Sequence, residues 1–358
     1  MSFSRLWTIS RLELLQRVRT VSWYVLLGVF ALLLVGVTGL AFLSFSGMDE
    51  RGPGIYSTVV YITLLLVLLV SPTLSGNSIN GDRDAATLAP VQVTLATTGE
   101  ILLGKFLAAW ITGLAFALVA LPFLAIATLA GGVRPATVVI SLVVLVVETG
   151  VIAAIGVALS GLLARPLFSV ATTYLVVAAL AIGTVIGFGL VGSSITSETT
   201  ERYRSAVYGD NGPECIEGVE NCWDEPESMI CEDWTTYTSR TGRYDFVWWM
   251  LAANPFVILA DATPTHFDRY GNPEDMFGYL KISVRQTQIP PQLERTYDEC
   301  GTAAEPTYPT PEEVLAQTVP SWFVGLGVQV LLAAGLMVWA YGRTRTPART
   351  LARGTRIA

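Results

Sequence analysis

Residues 80–105, NGDRDAATLAPVQVTLATTGEILLGK, are the stretch from which the architecture of this chain can be read. They separate two long apolar runs, 56–76 and 106–130, so they are a polar interruption between two segments able to cross a membrane. Asp82, Arg83 and Asp84 open the stretch with charge, and residues 85–89 have the composition of a short helix. Pro90 then interrupts, because a proline inside a helix removes a donor and clashes with the preceding turn. Thr97 and Glu100 have the Thr-x-x-Glu spacing of a capping box, which predicts a new helix running on into the next apolar run. A charge-led helical elbow between two spans suits a contact that receives force from a soluble partner. An ordinary solvated loop is the alternative reading.

Working outward, 52% of the 358 residues are hydrophobic, only 14% are charged, and the mean hydropathy is +0.53. That balance describes an integral membrane protein. Six runs are long enough to span: 21–45, 56–76, 106–130, 136–163, 168–192 and 320–341. The first is too long for the apolar core of a secretory leader, about 7–15 residues, and reads as an anchor. Six spans put both termini on one side. Arg5, Arg11, Arg17 and Arg19 stand against Glu13 at the start, and the tail carries Arg343, Arg345, Arg349, Arg353 and Arg356 with no acid. The positive-inside rule then makes both ends cytoplasmic. Residues 193–319 hold 22 acidic and 8 basic side chains, a net charge of −14 in a chain of −7 overall, as expected of an acidic outer segment. In this topology 80–105 is the internal inter-span segment on the cytoplasmic side with room for a docking element.

The order Asp82-Arg83 with Thr87-Leu88, Pro90, then Glu100-Ile-Leu-Leu-Gly-Lys105, resembles the coupling-helix region of ABC-2 type transporter permeases. Asp82 stands where that family usually has Glu and Ala86 where it has Gly, and no Thr-Pro pair occurs. A second patch, Ser160-Gly-Leu-Leu-Ala-Arg165-Pro with Ala171 and Tyr174, is similar to the family's cytoplasmic turn between its fourth and fifth spans. The resemblance covers roughly the first 195 residues and the last span. It implies an all-α polytopic fold with six transmembrane helices, an N-terminal amphipathic elbow helix at 1–20, and a coupling helix at 80–100. It further implies a bacterial plasma-membrane permease subunit of an ATP-driven exporter, paired as a homo- or heterodimer. Separate ATP-binding cassette subunits would bind ATP and Mg, and this chain would carry no cofactor. Asp82, Arg83, Asp84, Thr87 and Leu88 are then the ATPase-coupling candidates. Gly183 and Gly187, a Gly-x-x-x-Gly in the fifth span, are candidates for the dimer interface, since small residues let helices approach closely.

Other residues bound the reading. Phe3, Trp7, Leu14 and Val18 fall on one helical stripe, as in an interfacial helix. Glu148 is the one acid at membrane depth, where charge is costly. It is either a functional site or a protonated group bonded to a neighbouring hydroxyl such as Thr149. Gly99 to Phe106 nearly matches a phosphate-binding loop. Phe106 cannot ligate magnesium and no strand precedes it, so nucleotide binding by this chain is rejected. Cys215, Cys222, Cys231 and Cys300 all lie in the outer segment and predict two disulfides, with three pairings open. Their spacing matches no common zinc pattern, and His266 is the sole histidine. Residues 246–260, broken by Pro255, are too short to span and predict a hairpin dipping into the outer leaflet. Asn254-Pro255 resembles an outer Asn-Pro of the same family. No catalytic triad, metal cluster or carboxylate pair emerges, and no nucleic-acid partner is expected. The rival to the exporter is a polytopic scaffold or sensor whose ectodomain binds an outside partner.

Overall fold

The computed structural model describes residues 2–47, 50–85, 96–209, 212–216, 219, 222, 228–300 and 309–345. Six helices are long and apolar enough to cross a membrane: Val21–Ser44, Gly52–Asp84, Thr98–Leu129, Pro135–Leu162, Pro166–Ser194 and Trp322–Thr344. The expected count and order of spans are therefore observed. The third span begins eight residues before the apolar run at 106 does. Its first turns contain Glu100 and Lys105, charged residues that hydropathy counts against a helix and that pairing neutralises here. The predicted capping box is formed: Thr97 Oγ1 accepts from Glu100 N, and the Glu100 carboxylate accepts from Thr97 N. Pro135 and Pro166 open the fourth and fifth spans at positions where a missing N–H costs nothing.

The chain divides into two compact units. The first, Met1–Val185 with Leu251–Lys281 and Pro320–Ala358, holds the helical core. In the second and fourth spans 61% and 56% of the most apolar window is buried, against 22% in the first and sixth. The second and fourth spans thus form the centre, and the others present apolar faces outward. Tyr56 and Ser141 share a buried hydrogen bond of 2.9 Å across that centre. Close approach is made possible by glycine: a Cβ on Gly156 would overlap Ser75, and one on Gly325 would overlap the Ala252 carbonyl.

The hairpin expected at 246–260 is two short helices, Trp249–Ala252 and Pro255–Ala262, separated at Ala253 and Asn254. From Leu251 to Lys281 this segment belongs to the helical unit. Val257, Ile258, Leu259 and Ala260 are buried, and Pro255–Ala262 packs on the fourth and sixth spans. Asp261 Oδ2 accepts from the backbone N–H groups of Ser321 and Trp322 at 2.6 and 3.0 Å, capping the sixth span with a buried carboxylate.

The second unit, Ile186–Met250 with Ile282–Val319, corrects the all-α expectation. It contains β1 (Thr196–Arg204), the small hairpin of β2 (Tyr208–Gly209) and β3 (Gly212–Pro213), β4 (Thr235–Gly242) and β5 (Glu294–Asp298). β1 is central, antiparallel to β4 and parallel to β5. TSETTERYR and TTYTSRTG have no apolar alternation, so the usual strand signal is absent; threonine and tyrosine content is what favours the sheet. The two predicted disulfides are present, Cys215–Cys222 and Cys231–Cys300, which selects one of the three pairings.

Two outcomes test this architecture. Gly325→Ala should lower folded, monodisperse yield and thermal midpoint, with an overpacking cost of about 1–3 kcal/mol. Gly327→Ala, which has open space around its Cβ, should do neither. Equal behaviour of the two variants would contradict the contact with Ala252. Among the disulfides, the closed loops differ, at 7 and 69 residues of separation. The loop-entropy argument makes Cys231→Ser with Cys300→Ser more destabilising than Cys215→Ser with Cys222→Ser, by about 2 kcal/mol. Denaturant midpoints of the full chain should show that order.

Candidate functional site

The N-terminal helix Phe3–Val18 lies on the first turns of the third span. Gly104 makes this approach possible, since a Cβ there would press on Ile9, and Ser10 Oγ donates to the Gly104 carbonyl at 2.8 Å. Polar contacts accompany the packing of Ile9: Ser2 N donates to Glu100, Arg5 lies 3.7 Å from the same carboxylate, and Arg17 Nη2 donates to the Leu74 carbonyl. Phe3, Trp7 and Val18 are exposed, so three of the four residues of the predicted stripe face outward, while Leu14 is half-buried.

At the centre of this junction is Lys105, only 3% exposed. Its ammonium is paired with Glu13 of the N-terminal helix and, at 2.6 Å, with Asp82 Oδ2. Asp82 belongs to Asn80–Asp84, a helical turn at the end of the second span. Ser160 of the fourth span accepts from Ile79 N and Asn80 N, and Gly161 lies close against Ile79, Ala340 and Thr344. The two stretches on which the permease resemblance rests thus meet here. One ion cluster and one serine fasten the N-terminal helix and the second, third and fourth spans together.

Of the coupling candidates, Asp82 is 34% exposed and engaged with Lys105. Asp82 is thus both partly exposed and the counter-charge of the buried lysine. Arg83 is half-buried and Asp84 exposed, both beside that cluster. Thr87, Leu88 and the Pro90 break lie outside the described residues. Of the dimer candidates, Gly183 has nothing nearer than Ala179 Cβ at 3.6 Å, whereas a Cβ on Gly187 would meet Met250 Cε. The glycine face is therefore open at Gly183 and covered by the chain itself at Gly187.

No protein-family model matches this chain, and no curated protein does.

Two further features lie in the helical core. Glu148 is fully buried and neither carboxylate oxygen has a hydrogen-bond partner among the described residues. Thr149 does not satisfy it, since that hydroxyl donates to the Leu145 carbonyl. Gln329 approaches from the sixth span, short of hydrogen-bond geometry, while its amide donates to the Ala253 carbonyl. The fifth span has a π-helical turn at Ala179–Gly183, and Asn254 Nδ2 donates to the Ala181 carbonyl and to Thr184 Oγ1. Such widened turns free backbone groups for other partners. Asn254 also caps the helix that follows it by accepting from Phe256 N. The sequence signal for this clasp is the Asn-Pro pair, whose partner on the fifth span hydropathy does not reveal.

The Lys105 cluster has a measurable consequence. Lys105→Met leaves Glu13 and Asp82 facing each other without their cation. Breaking a buried pair costs about 3–5 kcal/mol, and the partial exposure of Asp82 puts the expected loss near the lower end. Combining Lys105→Met with Glu13→Gln and Asp82→Asn should restore most of the thermal midpoint. A single variant as stable as the native protein would refute the cluster's structural role.

Proposed function

We infer that this chain is a permease subunit of an ATP-driven exporter, coupled to separate ATP-binding cassette ATPases that bind ATP and Mg. The observation that supports this reading most is the connection of Arg83 and Asp84 to the membrane helices through the buried Asp82–Lys105–Glu13 cluster. A soluble partner pressing on that turn would act on stiffly joined elements: the N-terminal helix and the second and third spans. The arginines of residues 1–20 and of the tail favour placing this end in the bacterial cytoplasm. A second permease subunit, identical or different, would complete the pathway, and the open surface at Gly183 suits such a contact. Glu148 could then sense the opening of the core, because separating the fourth and sixth spans would hydrate a carboxyl that is now dry.

The alternative, a scaffold or sensor, is favoured by one feature: residues 186–250 and 282–319 form a disulfide-bonded unit of their own. The two readings differ at the Asn80–Asp84 turn. Arg83→Ala with Asp84→Ala should weaken co-purification of an ATP-binding cassette subunit. Truncating one side of a desolvated charge contact costs about 2–5 kcal/mol, roughly 30-fold or more in affinity. The control is Glu198→Ala with Arg240→Ala, an exposed cross-strand pair in the sheet, which should leave association unchanged. Retained association in the double variant would remove the docking assignment, and absence of any ATPase partner would remove the exporter reading.

A further inference from the structure

In the helical unit, a cleft of about 510 Å³ is lined by Phe45, Gly47, Glu50 and Gly54 and by residues between 267 and 279. Its volume is in the range of about 300–1,000 Å³ typical of small-molecule sites. The rings of Phe45, Tyr270 and Tyr279 line it, and so do Glu50, Glu274 and Asp275, with Arg269 as the lining cation. We propose that this cleft binds an organic monocation carrying apolar groups, through its carboxylates and aromatic faces.

Three observations support that chemistry. The lining combines acids with rings, and a cation over an aromatic face is attracted by the ring quadrupole. This surface already takes one: the Arg269 guanidinium lies 4.8 Å from the centre of the Tyr270 ring. The acids are also held in place rather than arrayed by chance. Asp275 is 5% exposed and its Oδ1 accepts from Gly278 N at 2.7 Å, Met276 N donates to Ser57 Oγ, and Glu50 lies over Gly132. Gly131 and Gly132 have φ of 95° and 80°, a turn that side chains resist and that brings the backbone under Glu50. Burial, opposed by the Gly278 N–H and by Lys281, holds the Asp275 carboxyl up to about 6, so a cation entering the cleft would favour its charged form. Asp268 also lines the cleft, but its Oδ1 is turned to the N–H groups of Tyr270 and Asn272. Arg134 lies 3.8 Å from Glu274, an exposed and weakly competing partner. Among the described lining residues Arg269 is the one cation, against four carboxylates, which disfavours an anion.

Either a free amphipathic amine or the ammonium of a lipid headgroup has this chemistry. The site belongs to this chain alone, so its test is independent of the exporter reading. The full chain, purified in the nonionic detergent dodecyl maltoside, is titrated with tetraphenylphosphonium and with tetraphenylborate, ions of matched shape and opposite charge. Saturable binding of the cation, at least tenfold tighter than of the borate, is expected. Glu50→Gln with Glu274→Gln should weaken cation binding about tenfold, and Tyr270→Ala should do the same. Glu50 and Tyr270 are exposed, so their replacement leaves folding intact, and the thermal midpoint checks this. Added phosphatidylethanolamine displaces the probe if a lipid headgroup is the occupant and does not if a free cation is. Equal binding of the two ions, no saturable cation binding, or unaltered affinity in folded variants would each overturn the proposal.

Discussion

A lysine ammonium with almost no contact with water must be neutralised, and much of one end of the helical unit is arranged to do so. Lys105 is paired with Glu13 and Asp82, which come from the N-terminal helix and from the end of the second span. Satisfying that charge brings three elements to one point. Glu100 repeats the logic a turn and a half earlier, with its carboxylate taking the N–H groups of Thr97 and Ser2. The N-terminal helix therefore docks through these charge contacts together with Ile9, and shows Phe3 and Trp7 to the surroundings. This is the arrangement expected where the outer medium is apolar and the contact is ionic.

The opposite end of the unit uses an anion in the same way. Asp261 supplies a buried carboxylate to the unsatisfied N–H groups that begin the sixth span, and Lys281 donates to the Thr263 carbonyl. The chain has two lysines, and both are buried with specific acceptors. A compact ammonium fits a narrow buried niche where the planar guanidinium would not. Between these ends the core is ordinary close packing, with glycines admitting the Ser75 side chain at Gly156 and the Ala252 carbonyl at Gly325.

The strand-bearing unit solves a different problem. Among the described residues its buried cluster is small, formed by Ala206, Cys222, Met229 and Cys300 with partly buried neighbours. So little apolar area gives limited stability, and cross-links compensate. Cys231–Cys300 ties the segment after β1 to the end of β5, beside Arg204, which is bidentate to Asp298 and stacked 4.8 Å from the Trp234 ring. Polar strands are held here by pairing, charge and sulfur rather than by a hydrophobic face.

Composition and local spacing by themselves determined the membrane class, the six spans and their order, the Thr97–Glu100 capping box and the existence of two disulfides. Each follows from simple rules: length of an apolar run, hydrogen bonding within one helical turn, and an even number of cysteines within one segment between spans. Tertiary structure alone decided which residues oppose one another. It made Asp82 the counter-ion of Lys105, fastened Asn254 to the fifth span, and chose the cysteine pairing. It also built a sheet from strands lacking apolar alternation, because hydropathy does not register cross-strand hydrogen bonds and ion pairs. The physical reason is common to all four. Contacts between groups distant in sequence depend on which partner meets which, and a linear pattern of residue types does not encode that pairing.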